Sequence, residues 1–336
     1  VIPSFLPFLL VNAEKFIDLN ILPINEDYSI FTSIIFLVNQ ISSRFNEISI
    51  PILIKFGLET LESENLSEKV TGFYAINNAI FLFSGESEDE SAFCTQCINI
   101  SLDLIGTDFD DQNNGMIRIV SQAVENVYNI AYLYPNLIDY SSLIPRLVEL
   151  MKSPIFYNSE TLILQIAKMN KLDSSSLLEL INALFEVQNI EAFNLIYKIL
   201  EIYCKHLQES DMKEIITQEL PKAFSIISQI VEQNSDDEEI NILLNPLLSI
   251  ITLGINFNND IIAENYENFI QIIINCYKDF QNSQAIRILA ISTKIANDME
   301  HMQYTINQII LQFDNGDNDN MISSCLDALI FDLKSV

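Results

Sequence analysis

Tryptophan is absent from this chain, histidine occurs twice and glycine seven times. Two histidines leave little material for imidazole acid–base chemistry. No G-x-S-x-G, no glycine-rich phosphate loop and no H-E-x-x-H is present. Carboxylates are plentiful, but a pair can be picked anywhere in so acidic a chain, so we expect no enzyme, no catalytic residue, no cofactor and no metal. Basic residues are scarce too: 17 Lys and Arg stand against 46 Asp and Glu, for a net charge of −29. Such a surface disfavours nucleic acid and anionic membranes, because phosphate binding needs Lys and Arg to neutralise backbone charge. It favours basic protein partners, and it also keeps an apolar chain in solution.

Long apolar runs are missing. "AIFLF" and "SIIFLV" stop well short of the roughly 20 residues of a membrane helix, so no membrane insertion is expected. The opening "VIPSFLPFLLVNAEKF" is apolar but has neither a basic start nor a small-residue cleavage site. Because the chain does not begin with Met, we expect it to be a segment of a longer protein.

What is present is helical spacing nearly everywhere, in a chain of 336 residues with 49% hydrophobic content. The periodicity predicts helices near 28–44, 48–63, 66–84, 91–107, 115–134, 139–152, 157–170, 174–187, 190–207, 210–232, 236–255, 261–280, 282–298, 299–313 and 318–335. Asp173 ahead of "SSSLLELINALF" and Ser210-Asp211 read as helix starts. Pro145 and Pro221 are expected near helix beginnings, where a missing N–H costs little. Asn282-Ser283 and 256–260 read as short polar hinges.

Taken in twos, these helices recur at about 36–48 residues, the period of HEAT-type repeats. Each pair is too small to bury its apolar face alone, and stacking on neighbours buries it. The expected fold is all-α: a superhelical α-solenoid of antiparallel helix pairs, continuous over 1–336 as a single domain of about seven pairs. A globular helix bundle is the rival.

The motifs are weak. Cys94-Thr-Gln-Cys97 has the C-x-x-C spacing, but an acidic loop precedes it and no second cysteine pair follows. Cys204, Cys276 and Cys325 stand alone, and Cys204 and His206 fall on different helix faces. All five cysteines are expected to be reduced thiols buried in the core. Asn65-Leu-Ser67 and Asn99-Ile-Ser101 match a glycosylation triplet by chance. A calcium loop beginning at Asp110 places Ser121 where a bidentate Glu is needed, and "DNGDNDN" from Asp314 misplaces its glycine. Tyr128, Tyr132 and Tyr134 are expected to be partly buried with a wet hydroxyl.

Two acidic clusters are the candidate protein-binding residues. Glu86, Glu88, Asp89 and Glu90 are expected in a loop between helices, and Asp236, Asp237, Glu238 and Glu239 at a helix start. Negative charge at a helix start also suits the helix dipole without any ligand.

"VSQAVENVYNIAYLYPNLIDYSSLIPRLVELM" resembles a HEAT pair of the importin-β superfamily. "ENYENFIQIIINCYKDFQNSQAIRILAISTKIAND" resembles later repeats of its transportin-SR and exportin-like branch, with Tyr277, Ala285, Ala290 and Ala296 in the matching places. The resemblance covers about residues 115–313. It implies a nuclear transport receptor that binds protein cargo under control of the small GTPase Ran, in cytoplasm and nucleus. It carries over no GTPase-binding residue. The alternative function is a HEAT scaffold subunit of a multiprotein complex, of phosphatase-regulatory, chromosome-organising or coat-adaptor type.

Overall fold

The computed structural model describes residues 2–17, 29–108, 113–232, 238–257, 266–280, 282–315 and 323. Among them every regular element is helical, and no strand occurs. The chain divides into two compact units, Val1–Leu172 and Asp173–Val336.

The first unit contains α1 (Ile2–Glu14), α2 (Ile30–Arg44), α3 (Asn46–Leu61), α4 (Leu66–Phe81), α5 (Glu88–Ile105), α6 (Asn114–Leu133), α7 (Tyr140–Leu150) and α8 (Phe156–Lys168), with a 3-10 turn at Pro135–Leu137. The helices pair in sequence: α3 on α4, α5 on α6, α7 on α8. The second members, α4, α6 and α8, also pack side by side in one row. Helix α6 is the middle of that row, with α5 behind it, so Ile117, Val120, Ala123, Val124, Val127 and Ile130 are all buried. A lone amphipathic pair would leave half of these in water, at roughly 25 cal/mol per Å² of apolar area.

The second unit contains α9 (Ser174–Val187), α10 (Ile190–Tyr203), α11 (Glu209–Glu232), α12 (Glu238–Phe257), α13 (Tyr266–Phe280), α14 (Ser283–Ile295) and α15 (Met299–Asn315). It repeats the two-row plan. Helices α9, α11 and α13 form one row, α10, α12 and α14 the other, and α15 closes on α14. This is the expected all-α solenoid architecture of antiparallel helix pairs.

Polar residues explain where helices start and stop. Asn65, Asn113, Asn189 and Asn282 each accept a backbone N–H at a helix N-terminus, as do Ser29, Asp139 and Asp173. Asn170 and Asn297 take the left-handed conformation just past α8 and α14, at φ 52° and 53°. Glycine usually fills that place. Asparagine does so here, which accounts for how few glycines the chain needs. The guanidinium of Arg146, on α7, donates to the carbonyl oxygens of Ile105 (2.7 Å) and Thr107 (2.8 Å). It thereby satisfies the C-terminal end of α5 and ties one helix pair to the next.

Three expectations need correction. Helix α1 was not anticipated. Pro3 and Pro7 interrupt its local signal, yet Leu6, Leu9, Leu10 and Ala13 are buried at helical spacing. Pro145 and Pro221 do not sit near helix beginnings. Pro145 lies inside α7, and Pro221 is near the middle of the 24-residue α11. A mid-helix proline loses a hydrogen bond and costs about 3 kcal/mol. Burial of Ile215, Ile216, Leu220, Ala223 and Ile227 on both sides of Pro221 keeps the helix continuous. The acidic residues from Glu88 to Glu90 are not loop residues; they form the first turn of α5. The expected helix 318–335 lies outside the described residues.

Candidate protein-binding face

Glu86, Glu88 and Asp89 are exposed, and the latter two begin α5, where negative charge opposes the helix dipole favourably. Glu90 is different. Its carboxylate accepts the backbone N–H of Ser84 and of Gly85, at 3.2 Å each. It also accepts the Ser84 hydroxyl (3.1 Å) and the Tyr134 hydroxyl (3.0 Å). Burial works to raise the Glu90 carboxyl, but these donors together outweigh it and hold the group below the usual carboxylate range. Glu90 therefore fastens the α4–α5 turn to the end of α6. Gly85 adopts φ 77° within this turn.

Of the second cluster, Asp236 and Asp237 lie outside the described residues, and Glu238 and Glu239 open α12.

Cys94 and Cys97 are buried inside α5, and burial pushes the Cys94 thiol up to about 12 and the Cys97 thiol up as well. Cys94 is the seventh residue of its helix rather than the first. Cys276 is buried, Cys204 is half-buried rather than in the core, and Cys325 lies outside the described residues. Among the described residues no group of three or more His, Cys, Asp or Glu is placed to hold a metal ion. Of the first calcium-like loop, residues 110–112 lie outside the described residues, and the rest is no loop: Asn113 caps α6 and Asn114 to Ser121 are its first turns. Most of "DNGDNDN" lies outside the described residues.

The outer face of the α4–α6–α8 row carries a site that the sequence reading missed. A groove of about 540 Å³ runs between α6 and α8. Its α6 wall is Ser121, Gln122, Glu125, Tyr128 and Asn129, and its α8 wall is Tyr157, Asn158 and Thr161. A second hollow of about 290 Å³ lies between α4 and α6, lined by Ile80, Phe81, Tyr128, Asn129, Tyr132 and Leu133. Tyr128 and Asn129 line both, so the two adjoin along α6. Ser121, Glu125, Tyr128 and Tyr132 share one stripe of α6 because they recur at helical spacing. That spacing was the signal available in the sequence. Of the tyrosines expected to be partly buried, Tyr128 is so, but Tyr132 is 71% exposed, like Phe81 (76%) in the same hollow and Tyr157 (63%) in the groove. Tyr134 is half-buried, but its hydroxyl is engaged with Glu90.

Glu125 is held by a directional relay. The Ser101 hydroxyl donates to Asn126 Oδ1 (3.1 Å). Asn126 Nδ2 donates to Asn77 Oδ1 (2.8 Å), and Asn77 Nδ2 donates to Gln122 Oε1 (3.2 Å). Gln122 Nε2 then donates to the Glu125 carboxylate (2.9 Å). Ser101 and Asn126 are fully buried, so the relay runs from the packed interior of α4, α5 and α6 out to the groove. Burial raises the Glu125 carboxyl, and the Gln122 donation offsets part of that rise. The groove thus presents a braced, half-buried acid in a lining that also holds Tyr128, Tyr157 and the amides of Gln122, Asn129 and Asn158. That set suits a cationic side chain.

No family model matches the chain, and no curated protein matches it by sequence. Solved structures do. The chain is similar to the karyopherin Kap95 in the Kap95:Nup1 complex, with a TM-score of 0.73 and 12% identity over 96% of this chain and 39% of that one. It is likewise similar to Kap95p in a structure of its complex with RanGDP, with a TM-score of 0.73 and 11% identity over 96% of this chain and 40% of that one. The chain therefore spans about two fifths of the length of these Kap95 chains. The likeness shows a shared fold, the karyopherin-type α-solenoid.

Proposed function

We propose that this chain works as an importin-β-like nuclear transport receptor, binding protein cargo under control of the small GTPase Ran and moving between cytoplasm and nucleus. The observation that carries this reading is the fold shared with Kap95, whose solved complexes hold a nucleoporin and RanGDP. Membership of the transportin-SR and exportin-like branch is a further part of the proposal and rests on the stretch 264–298. The acidic balance favours basic cargo. Glu86, Glu88 and Asp89, together with Asp236, Asp237, Glu238 and Glu239, would add long-range attraction. Glu90 contributes less, since its carboxylate is committed to the α4–α5 turn.

In such a receptor each helix pair touches mainly its neighbours, so small rotations add up to a change in curvature. Cargo and GTPase then compete by favouring different curvatures. The test is a pull-down on the chain with and without GTP-locked Ran. Basic proteins that bind alone and are released by the GTPase mark an importer. Partners gained only with the GTPase mark an exporter. A partner set indifferent to the GTPase would overturn the reading and leave a HEAT scaffold.

A further inference from the structure

The two hollows on the α4–α6–α8 face differ in chemistry although they share a wall. The α4/α6 hollow is apolar and aromatic, built on Ile80, Phe81, Tyr132 and Leu133. The α6/α8 groove is lined mainly by polar side chains, among them the braced Glu125 together with Tyr128 and Tyr157. A ligand filling both must offer a large apolar side chain to the first and a cation to the second.

The separation follows from helix geometry. Along α6 the hollow centres near Tyr132 and the groove near Glu125, a rise of about 10 Å at about 1.5 Å per residue. The two lie on either side of α6, which shifts them sideways by about one helix spacing of 8–10 Å. The combined span is about 13–14 Å. An extended peptide advances about 3.3 Å per residue, so four residues cover it. An even separation also matters, because alternate side chains of an extended strand point the same way.

We infer that this face is a docking site for an extended peptide of a partner protein carrying an aromatic or large aliphatic residue and an arginine four residues apart, the apolar side chain entering the α4/α6 hollow and the guanidinium meeting Glu125. Arginine fits better than lysine, since its planar fork accepts a carboxylate while stacking on tyrosine. The net charge of −29 repels acidic ligands from the whole surface and leaves the cationic peptide as the complementary occupant. This deepens the receptor reading and rests on it for the kind of partner, while the pocket itself stands on the geometry above.

The experiment measures binding of fluorescent peptides to the full chain by anisotropy. The probes are Phe-x-x-x-Arg and Arg-x-x-x-Phe in neutral polar flanks, with Gln replacing Arg, Ala replacing Phe, and Phe-Arg adjacent as controls. The proteins are wild type, Glu125→Gln, Tyr157→Ala and Tyr132→Ala; Tyr157 and Tyr132 are exposed, so their loss does not unfold the chain. Circular dichroism verifies the fold of each variant.

The expected result is that one of the two spaced peptides binds best and that Glu125→Gln weakens it about tenfold without affecting the Gln peptide. Tyr132→Ala weakens only Phe-containing peptides, by about threefold to tenfold. Equal binding of the adjacent and spaced peptides, or no loss of the arginine peptide with folded Glu125→Gln, overturns the inference. Selective peptide binding without any response to GTP-locked Ran removes the transport reading alone. A Ran response without peptide selectivity removes this site alone.

Discussion

The two units build the same two-row stack but spend their asparagines in opposite places. In the first unit, Asn77 and Asn126 meet in mid-helix, buried between α4 and α6, with Ser101 of α5 behind them. In the second unit, Asn241 and Asn245 of α12 reach the turn between α13 and α14 instead. Asn241 Nδ2 donates to the Phe280 carbonyl (2.9 Å), and Asn282 Nδ2 donates to Asn245 Oδ1 (2.9 Å). A buried mid-helix brace fixes which residues face each other across the row. A turn fastener fixes only where a connection sits. The mid-helix brace carries a hydrogen-bond chain through the core to the outer face, and that is why a positioned carboxylate appears on the α4–α6–α8 row.

The largest expected effect comes from cutting that brace. Asn126→Ala leaves Asn77 Oδ1 and the Ser101 hydroxyl without their partner in a dry site, at about 2–3 kcal/mol. Asn245→Ala should cost about 1 kcal/mol, because Asn241 Oδ1 lies 3.4 Å from Asn282 Nδ2 and can take over. Hydrogen exchange separates the units: protection should fall in peptides from α4 and α6 for the first variant, and less steeply in peptides from α12 and α14 for the second. Equal losses would show that the two networks do the same job.

Glycine gives the next contrast. In the first unit Gly57 and Gly72 face one another across α3 and α4. A Cβ on Gly57 would meet Ile76 Cγ1 at 2.5 Å and the Gly72 carbonyl oxygen at 3.0 Å. In the second unit a Cβ on Gly254 would meet the methyl ends of Leu220, the nearest at 2.3 Å. A carbonyl oxygen in a packed helix cannot move aside, whereas a leucine tip can turn. Gly57→Ala should therefore lower stability by about 2 kcal/mol and Gly254→Ala by about 1 kcal/mol or less, read from urea midpoints. The reverse order would mean that the α3–α4 approach is looser than its geometry.

How much of this was legible in the sequence depends on whether the cause is local. Asp173 and Asn282 announce their helices because a capping side chain acts within three residues. The pairing of helices is legible for a similar reason, since amphipathic faces at a steady period have nowhere else to go. Helix α1 was hidden by two prolines whose cost is outweighed by burial, a tertiary effect. The role of Glu90 was hidden because its partner Tyr134 lies 44 residues away. The groove was hidden because the α6 stripe alone does not say that α8 stands far enough off to leave a space.

A smaller effect concerns acid. Glu90 is held below the usual carboxylate range, so the unfolded chain takes up its proton first as pH falls. The stability Glu90 contributes is fully present above the unfolded carboxyl value of about 4.3 and disappears as pH drops through the lower folded value. Glu90→Gln should lower the thermal midpoint at pH 7 and flatten its decline toward pH 3, with wild type and variant converging at the acid end. Parallel curves at all pH values would show that Glu90 matters by shape and not by charge.

The smallest effect separates the acidic clusters of the two units. Reversing Glu86, Glu88 and Asp89 to Lys changes exposed charges that make no close ion pair among the described residues. Stability should move by no more than about 0.5 kcal/mol. Binding of a basic partner should weaken about twofold to threefold at low salt, and the loss should vanish near 0.5 M salt, where screening is short. The same reversal at Asp236, Asp237, Glu238 and Glu239 measures the second unit. If only one reversal changes the salt dependence, attraction of the partner belongs to that unit. If neither does, both clusters serve solubility and helix starts, and recognition rests on positioned groups such as Glu125, whose effect is short-ranged and persists in salt.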